Sequence, residues 1–365
     1  MASSEFQFYC QTIGHPKPLG LTLEAWMILI VLMPHKNKTH TAILTTLFIL
    51  IAVSFWNNVS YAQEDPAAIT PPKGLVPENF ILVDSSVSHP KNIFIADKEN
   101  RTLTVWSHTA NAPQLVGAYP MDIGKNQGDK VASGDQKTPE GIYFFQEKLE
   151  GPTLNFNEYG KRAFTLDYPN FFDQLAGKTG NGIWLHSVPE TKTLLRGSRG
   201  CVVVRNEIIE KLTPLISLKN TPMLILDRVN YVKPEILLSS RSSLQNWIES
   251  WKTAWESKNI DTYMSHYQDN FKALRMNKKT WRRYKEGLNQ KYSYIKVTVR
   301  EPFFVMKEDE AVINFIQDYD SDGKKDLGTK TLYVKKDNEG QFKILTEVWA
   351  PAGDDLLAQK DAAAK

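Results

Sequence analysis

Apolar and polar positions along the chain follow one pattern up to about residue 226 and another after it. Short apolar runs recur between polar turns in NFILVD, NIFIADKENRTLTVW, QLVGAYPMDIG, IYFF, GIWLHS, CVVV and TPMLILD. Runs of this length, rich in β-branched and aromatic residues and broken by Gly, Asn, Asp and Pro, predict strands. The turn Asp97 to Asn100 joins two of them as a hairpin, and the regular recurrence predicts a sandwich. One short helix interrupts the series over Asn206 to Leu218, where Ile208, Ile209, Leu212, Leu215 and Ile216 are the apolar positions.

The second pattern is helical first. Ser242 and Gln245 form a capping box, and Leu244, Trp247, Ile248, Trp251, Ala254 and Trp255 follow at helical spacing. Further short helices are expected over Ile260 to Tyr267 and Lys278 to Leu288. In YSYIKVTV, Ile295, Val297 and Val299 then alternate with Tyr294, Lys296 and Thr298, and AVINFIQDY, TKTLYVKK and QFKILTEVW complete a curved sheet. Helices followed by antiparallel strands predict an α+β domain. The segment KPEILLSSRSS, rich in Pro and Ser, marks the boundary.

The beginning of the chain reads as an address. From Met33, Lys36 and Lys38 precede an apolar run from about Ala42 to Phe55, and Ser60 and Ala62 flank Tyr61. That is the layout of a secretory signal with cleavage after Ala62, and Met33 is an adequate true start. The run is shorter than the roughly 20 residues needed to span a bilayer as a helix. An uncleaved anchor and a two-helix membrane hairpin are the alternatives. The expected organisation is a leader over 1–62, a linker over 63–79, a first domain over 80–230, a linker over 231–242, a second domain over 243–350 and a disordered tail over 351–365.

Apolar residues make up 42% and charged residues 23% of the chain, so sizeable cores can form, and a formal charge of +3 argues against a nucleic-acid partner. The two cysteines are more informative. Cleavage removes Cys10 and leaves Cys201 as the sole thiol of an exported protein, unable to form an internal disulfide. Such a thiol is either buried and inert or reactive. Its context, His186 at the end of one apolar strand and Ser198-Arg199-Gly200-Cys201 entering another, supplies a base and a nucleophile at adjoining strand ends. The amides of Gly200 and Cys201 are candidate donors to an oxyanion.

His186-Ser187 and, fifteen residues after the histidine, the S-x-G-C of Ser198 to Cys201 resemble the signature of the L,D-transpeptidase catalytic, or YkuD-like, domain. Thr138, Pro139, Glu140 and Gly141 match that family's T-P-x-G turn, and the resemblance covers roughly residues 80–228. FTLDYPNFFDQLAGKTGNGIWLHS is similar to the branch of murein L,D-carboxypeptidases and cell-shape peptidases. The resemblance implies a mainly β catalytic β-sandwich with small helices, located in the periplasm and acting on peptidoglycan stem peptides as an L,D-transpeptidase or L,D-carboxypeptidase. It implies Cys201 as nucleophile, His186 as base, Ser198 or its carbonyl as orienter of the imidazole, and Gly200 as an oxyanion donor. Substrate-binding candidates are Arg199, Arg205, Ser187, Trp184 and Tyr168. Trp184 either lines the cleft or belongs to the core.

Two positions depart from the family pattern. Arg199 stands where histidine is common, and Val203 stands where arginine or asparagine is usual. Arg205, which points the same way as Cys201 on a strand, is a substitute at greater distance. The alternative to an enzyme is a murein-binding scaffold whose active site has decayed. The second domain resembles a nuclear-transport-factor-2-like (SnoaL-like) cone, an α+β fold that implies shaping of murein access, self-association or a stabilising appendage.

Other features carry less. Residues 318–326, DYDSDGKKD, lack the glutamate of a calcium loop and read as a solvated hairpin. Lys278, Lys279, Arg282, Arg283 and Lys285 read as a wet helix face, and His89, His108 and His266 share no ligand spacing. No metal and no cofactor are expected, and membrane contact only through the signal peptide or an uncleaved anchor.

Overall fold

The computed structural model of the protein describes residues 65–82, 91–108 and 113–352. The leader, His89 and most of the tail lie outside the described residues, and among those described no helix is long and apolar enough to cross a membrane. The first half holds β1 (Val76–Pro77), β2 (Phe80–Leu82), β3 (Lys91–Asp97), β4 (Thr102–His108), β5 (Pro113–Pro120), β6 (Gly141–Glu150), α1 (Phe156–Tyr159) and β7 (Arg162–Leu166). It continues with α2 (Phe171–Leu175), β8 (Trp184–Val188), β9 (Val202–Arg205), α3 (Asn206–Leu212), β10 (Pro222–Leu226) and β11 (Tyr231–Val232).

Eight of these strands form one sheet in the order β5-β4-β3-β10-β6-β7-β8-β9, in which β10 with β3 and β8 with β9 are parallel. A register shift between Phe145 and Lys148 interrupts the pairing of β6 with β7. Alternation along the strands sends Phe94, Tyr143, Phe145, Met223 and Ile225 into one core with Leu185, Val202, Val204 and the α3 residues Ile208, Ile209 and Leu212. The opposite face presents Ile93, Ile95, Ile142, Phe144, Leu224 and Leu226 to a second core. Central strands buried on both faces account for runs such as PMLIL being apolar throughout rather than alternating.

That second core belongs equally to the C-terminal half. There α4 (Pro234–Glu256), α5 (Ile260–Ser265), β12 (Lys272–Ala273), β13 (Met276–Asn277) and α6 (Lys278–Lys291) precede β14 (Ile295–Lys307), β15 (Glu310–Ser321), β16 (Lys325–Lys336) and β17 (Phe342–Pro351). Leu244, Ile248, Trp251, Ala254 and Trp255 of α4 are buried in this core, with Trp251 5.8 Å from Phe315 of β15. The α+β architecture expected for this half is present. Tyr333 of β16 packs its ring 5.4 Å from Phe172 and 5.7 Å from Phe171 of α2, so both halves share one apolar interior.

Four expectations change. NFILVD is not a strand of the first domain, because β2 pairs with β14 through Phe80↔Val305, Ile81↔Phe304 and Leu82↔Phe303 and is the fifth strand of the C-terminal sheet, ordered β17-β16-β15-β14-β2. The linker expected over 231–242 is instead β11, paired with β1, and the first two turns of α4. Pro234 opens that helix because its missing N–H is tolerated in a first turn, so Ser242 lies within the helix rather than capping it. Lys285 does not belong to a wet face either: its amine lies 3.8 Å above the Trp255 ring, and the residue is 5% exposed.

Around it sits a polar cluster inside the cone. Lys330 forms a buried ion pair with Glu347, whose carboxylate also accepts from the Tyr267 hydroxyl at 3.1 Å. Burial pushes the Lys285 amine down to about 7, and although burial opposes it, the Lys330 and Lys285 charges hold Glu347 below its ordinary value. The segment 318–326 is a tight hairpin in which Ser321 N donates to Lys324 O at 2.9 Å, as its sequence suggested.

Candidate active site

The pairing of β8 with β9 sets the site. Leu185 opposes Val202 and His186 opposes Val203, so alternation puts Leu185 and Val202 into the first-domain core and His186 on the other face. Cys201 immediately precedes β9 and points the same way as Val203, with which it is buried beside Val188 and Leu194. The base and thiol anticipated from sequence thus share one face of two adjacent parallel strands.

The loop into Cys201 is laced from one side. Asp122 exchanges backbone hydrogen bonds with Val203 at 2.8 and 2.9 Å, and its carboxylate accepts from Gly197 N at 2.7 Å and from Arg101 at 2.5 Å. Ser198 N donates to Ile123 O, and Lys125 N donates to Ser198 O. Burial lifts the Asp122 carboxyl above its ordinary value despite these donors. Gly200 adopts φ +129°, and a Cβ there would lie 2.7 Å from Lys137 O, so glycine is required on both conformational and steric grounds. The T-P-x-G turn braces the same region: Thr138 Oγ1 accepts from Gly124 N at 2.8 Å, and Glu140 pairs with the buried Lys98 at 2.7 Å.

His186 Nδ1 lies 2.9 Å from Ser187 O. A carbonyl only accepts, so Nδ1 carries the proton and Nε2 is left as the free base. Desolvation lowers the imidazole to about 4, which favours its neutral form near neutral pH. Cys201 is 8% exposed, and its Sγ donates to Gly182 O at 3.5 Å. Burial pushes the thiol up to about 11, against the pull of the Trp184 amide and the Arg199 and Lys130 charges. Both shifts favour the neutral thiol and the neutral imidazole over an ion pair. Iodoacetamide alkylation of Cys201, followed by intact-mass measurement, should accelerate about tenfold per pH unit between pH 7 and 9. A rate already level by pH 8 would mean that a thiolate is preformed.

A model of the L,D-transpeptidase catalytic domain matches residues 91–225, and one of the Cds6 C-terminal NTF2-like domain matches residues 243–348. Bd1075 of Bdellovibrio bacteriovorus is 42% identical to this chain, with a TM-score of 0.70 over 77% of this chain and 99% of Bd1075. The chain belongs to the L,D-transpeptidase catalytic-domain family. The helical cell shape determining protein Pgp2 from Campylobacter jejuni is 26% identical, with a TM-score of 0.59 over 81% of this chain and 98% of Pgp2. None of the curated protein sequences matches. A peptidoglycan-related member of this family, carrying a C-terminal NTF2-like cone, is thereby established.

Within this family member the residues expected at the site divide. Trp184 is half-buried at the site, its ring 4.9 Å from Tyr159, and the exposed Arg199 donates from Nη2 to the Tyr159 hydroxyl at 3.1 Å. Ser198 does not orient the imidazole: its hydroxyl donates to Cys201 O at 2.7 Å, its carbonyl accepts from Lys125, and Ser187 O holds His186 instead. The Gly200 amide donates to Ser198 Oγ at 3.0 Å and is not free for an oxyanion. Arg205 is occupied by an ion pair with Asp65 and by the carbonyls of Pro189 and Lys192, so it does not substitute for the arginine usual at position 203.

Ser187 is buried, and its hydroxyl accepts from Lys161 N at 3.0 Å. Tyr168 packs against Tyr143 in the core and donates to Thr179 O at 3.1 Å, which ties down the loop leading to Gly182. Both side chains are buried and hydrogen-bonded within the protein. Tyr159 was not foreseen, although its ring and that of His186 are close to perpendicular with centroids 5.1 Å apart.

Proposed function

We propose that this chain is a periplasmic cysteine enzyme that cleaves the L,D bond of peptidoglycan stem tetrapeptides through a thioester. The observation that carries the reading is the His186 tautomer: with Nδ1–H held by Ser187 O, Nε2 is a neutral base on the face that carries the Cys201 thiol. As Sγ attacks the carbonyl between the L-centre of diaminopimelate and the terminal D-alanine, Nε2 takes its proton and a C–S bond forms. The Cys201 amide is the remaining backbone donor for the developing oxyanion, since that of Gly200 is occupied.

Collapse breaks the C–N bond, and the imidazolium returns its proton to the departing D-alanine nitrogen. Water, deprotonated by the restored imidazole, then hydrolyses the thioester and regenerates the thiol, which is L,D-carboxypeptidase chemistry. Attack by the amine of another stem would instead give a cross-link, which is transpeptidase chemistry. Resemblance to the murein carboxypeptidase branch favours water, and likeness to a helical cell shape determining protein supports a role in cell shape. Incubating purified protein with disaccharide tetrapeptide and analysing products by mass spectrometry tests the reading. Tripeptide and free D-alanine are expected, dimers would make the enzyme a transpeptidase, and intact substrate would overturn the proposal.

A further inference from the structure

Residues 65–79, within the stretch expected as a linker, are anchored along their length. Asp65 pairs with Arg205 at the end of β9, Ile69 N donates to Thr102 Oγ1 at 2.9 Å, and β1 pairs with β11 before β2 enters the C-terminal sheet. The first of these anchors does more than hold the strap. Both Asp65 carboxylate oxygens accept from Arg205, one from Nε and one from Nη2. That leaves Nη1 to donate to Pro189 O at 3.0 Å and to Lys192 O at 2.6 Å. The Arg205 and Asp65 side chains are 11% and 28% exposed, so solvent screens the pair only in part.

The two carbonyls belong to the loop that packs on the nucleophile. Pro189 O also accepts from Lys192 N at 3.0 Å, which closes a turn directly after β8. Two residues further on, the buried Leu194 packs with Val188, Val203 and Cys201. At its far end the loop is held by the Asp122 carboxylate through Gly197 N, and at its near end by Arg205. A planar guanidinium gripped along one edge by a carboxylate keeps its remaining donors aimed; released, it is free to rotate away. We infer that Asp65 is a positioning residue: by orienting Arg205 it fixes the turn from Pro189 to Lys192, and through Leu194 it holds Cys201 covered on the face shared with His186. The effect on turnover rests on the thioester reading, whereas the effect on the thiol does not.

The test compares wild type with Asp65→Ala at one pH and at a temperature where calorimetry shows both folded. Alkylation by iodoacetamide, followed on the Cys201 peptide by mass spectrometry, should be about tenfold faster in the variant, because the loop opens locally. Release of D-alanine from disaccharide tetrapeptide should fall about 10- to 100-fold, mainly in kcat, as expected when a reacting group is slightly displaced. Asp65→Glu should recover part of both. Exchanging the charges, Asp65→Arg with Arg205→Asp, restores an ion pair but removes the β9 donor to Pro189 O and Lys192 O, so it should stay as defective as Asp65→Ala. Full recovery by the exchange would reduce the pair to charge neutralisation and overturn the positioning role. An alkylation rate unchanged by Asp65→Ala would overturn it too, as would unchanged kcat/KM in an active enzyme. Faster alkylation of the variant, found with a wild-type protein that releases no D-alanine, supports the hold on the thiol and sinks the thioester reading instead.

Discussion

Cys201→Ala is expected to abolish release of D-alanine from disaccharide tetrapeptide, a fall of at least about a thousandfold, because Cys201 is the one cysteine among the described residues. The substitution removes one sulfur from a small cluster with Val188, Leu194 and Val203, so its stability cost should stay near about 1 kcal/mol. Two measurements separate an enzyme from a murein-binding scaffold. The enzyme loses its product while the variant still sediments with purified sacculi. A scaffold releases no product even as wild type and binds sacculi equally well in both forms. Product formation that survived the substitution would remove Cys201 from the mechanism altogether.

Glu347→Ala should be the most damaging single change in the C-terminal half. It deletes the carboxylate that pairs with Lys330 and acts on Lys285, whose buried amine lies over the Trp255 ring. Removing one partner of a buried pair typically costs about 3–5 kcal/mol because the other charge is left uncompensated. Lys330→Met together with Glu347→Leu should recover much of that loss. The effect should also reach the catalytic half. Phe171 and Phe172 pack on Tyr333, and β2 and β14 join the two halves, so calorimetry is expected to show one unfolding transition shifted as a whole. Separate transitions, with that of the catalytic half unmoved, would refute a common core.

What the sequence disclosed follows from how local each feature is. The S-x-G-C segment and the T-P-x-G turn were legible because their glycines and proline fix conformation within a few residues. The apolar runs gave most of the longer strands but not β7 between β6 and β8, and helical spacing gave α4, α5 and α6 to within a turn or so at most ends. Arg205 was misread because its partner, Asp65, lies 140 residues away, and nothing near Arg205 signals an occupied guanidinium. Tyr159 escaped for the same reason: a tyrosine in a four-residue helix acquires meaning only where Gly160 presses it against β8. Lys285 looked solvated because its neighbours are basic, whereas the Trp255 and Trp281 rings that cover it belong to a helix elsewhere and to its own preceding turn. Strand periodicity identified NFILVD as a strand but carries no information about which sheet receives it.

That last assignment has a practical side. Anyone cutting the gene at residue 243 to make the C-terminal half alone would discard β2 and leave Phe303, Phe304 and Val305 of β14 with open backbone groups along an apolar rim. Such a fragment invites edge-to-edge stacking with its own copies. Supplying a synthetic peptide spanning Val76 to Leu82 in trans should keep it dispersed.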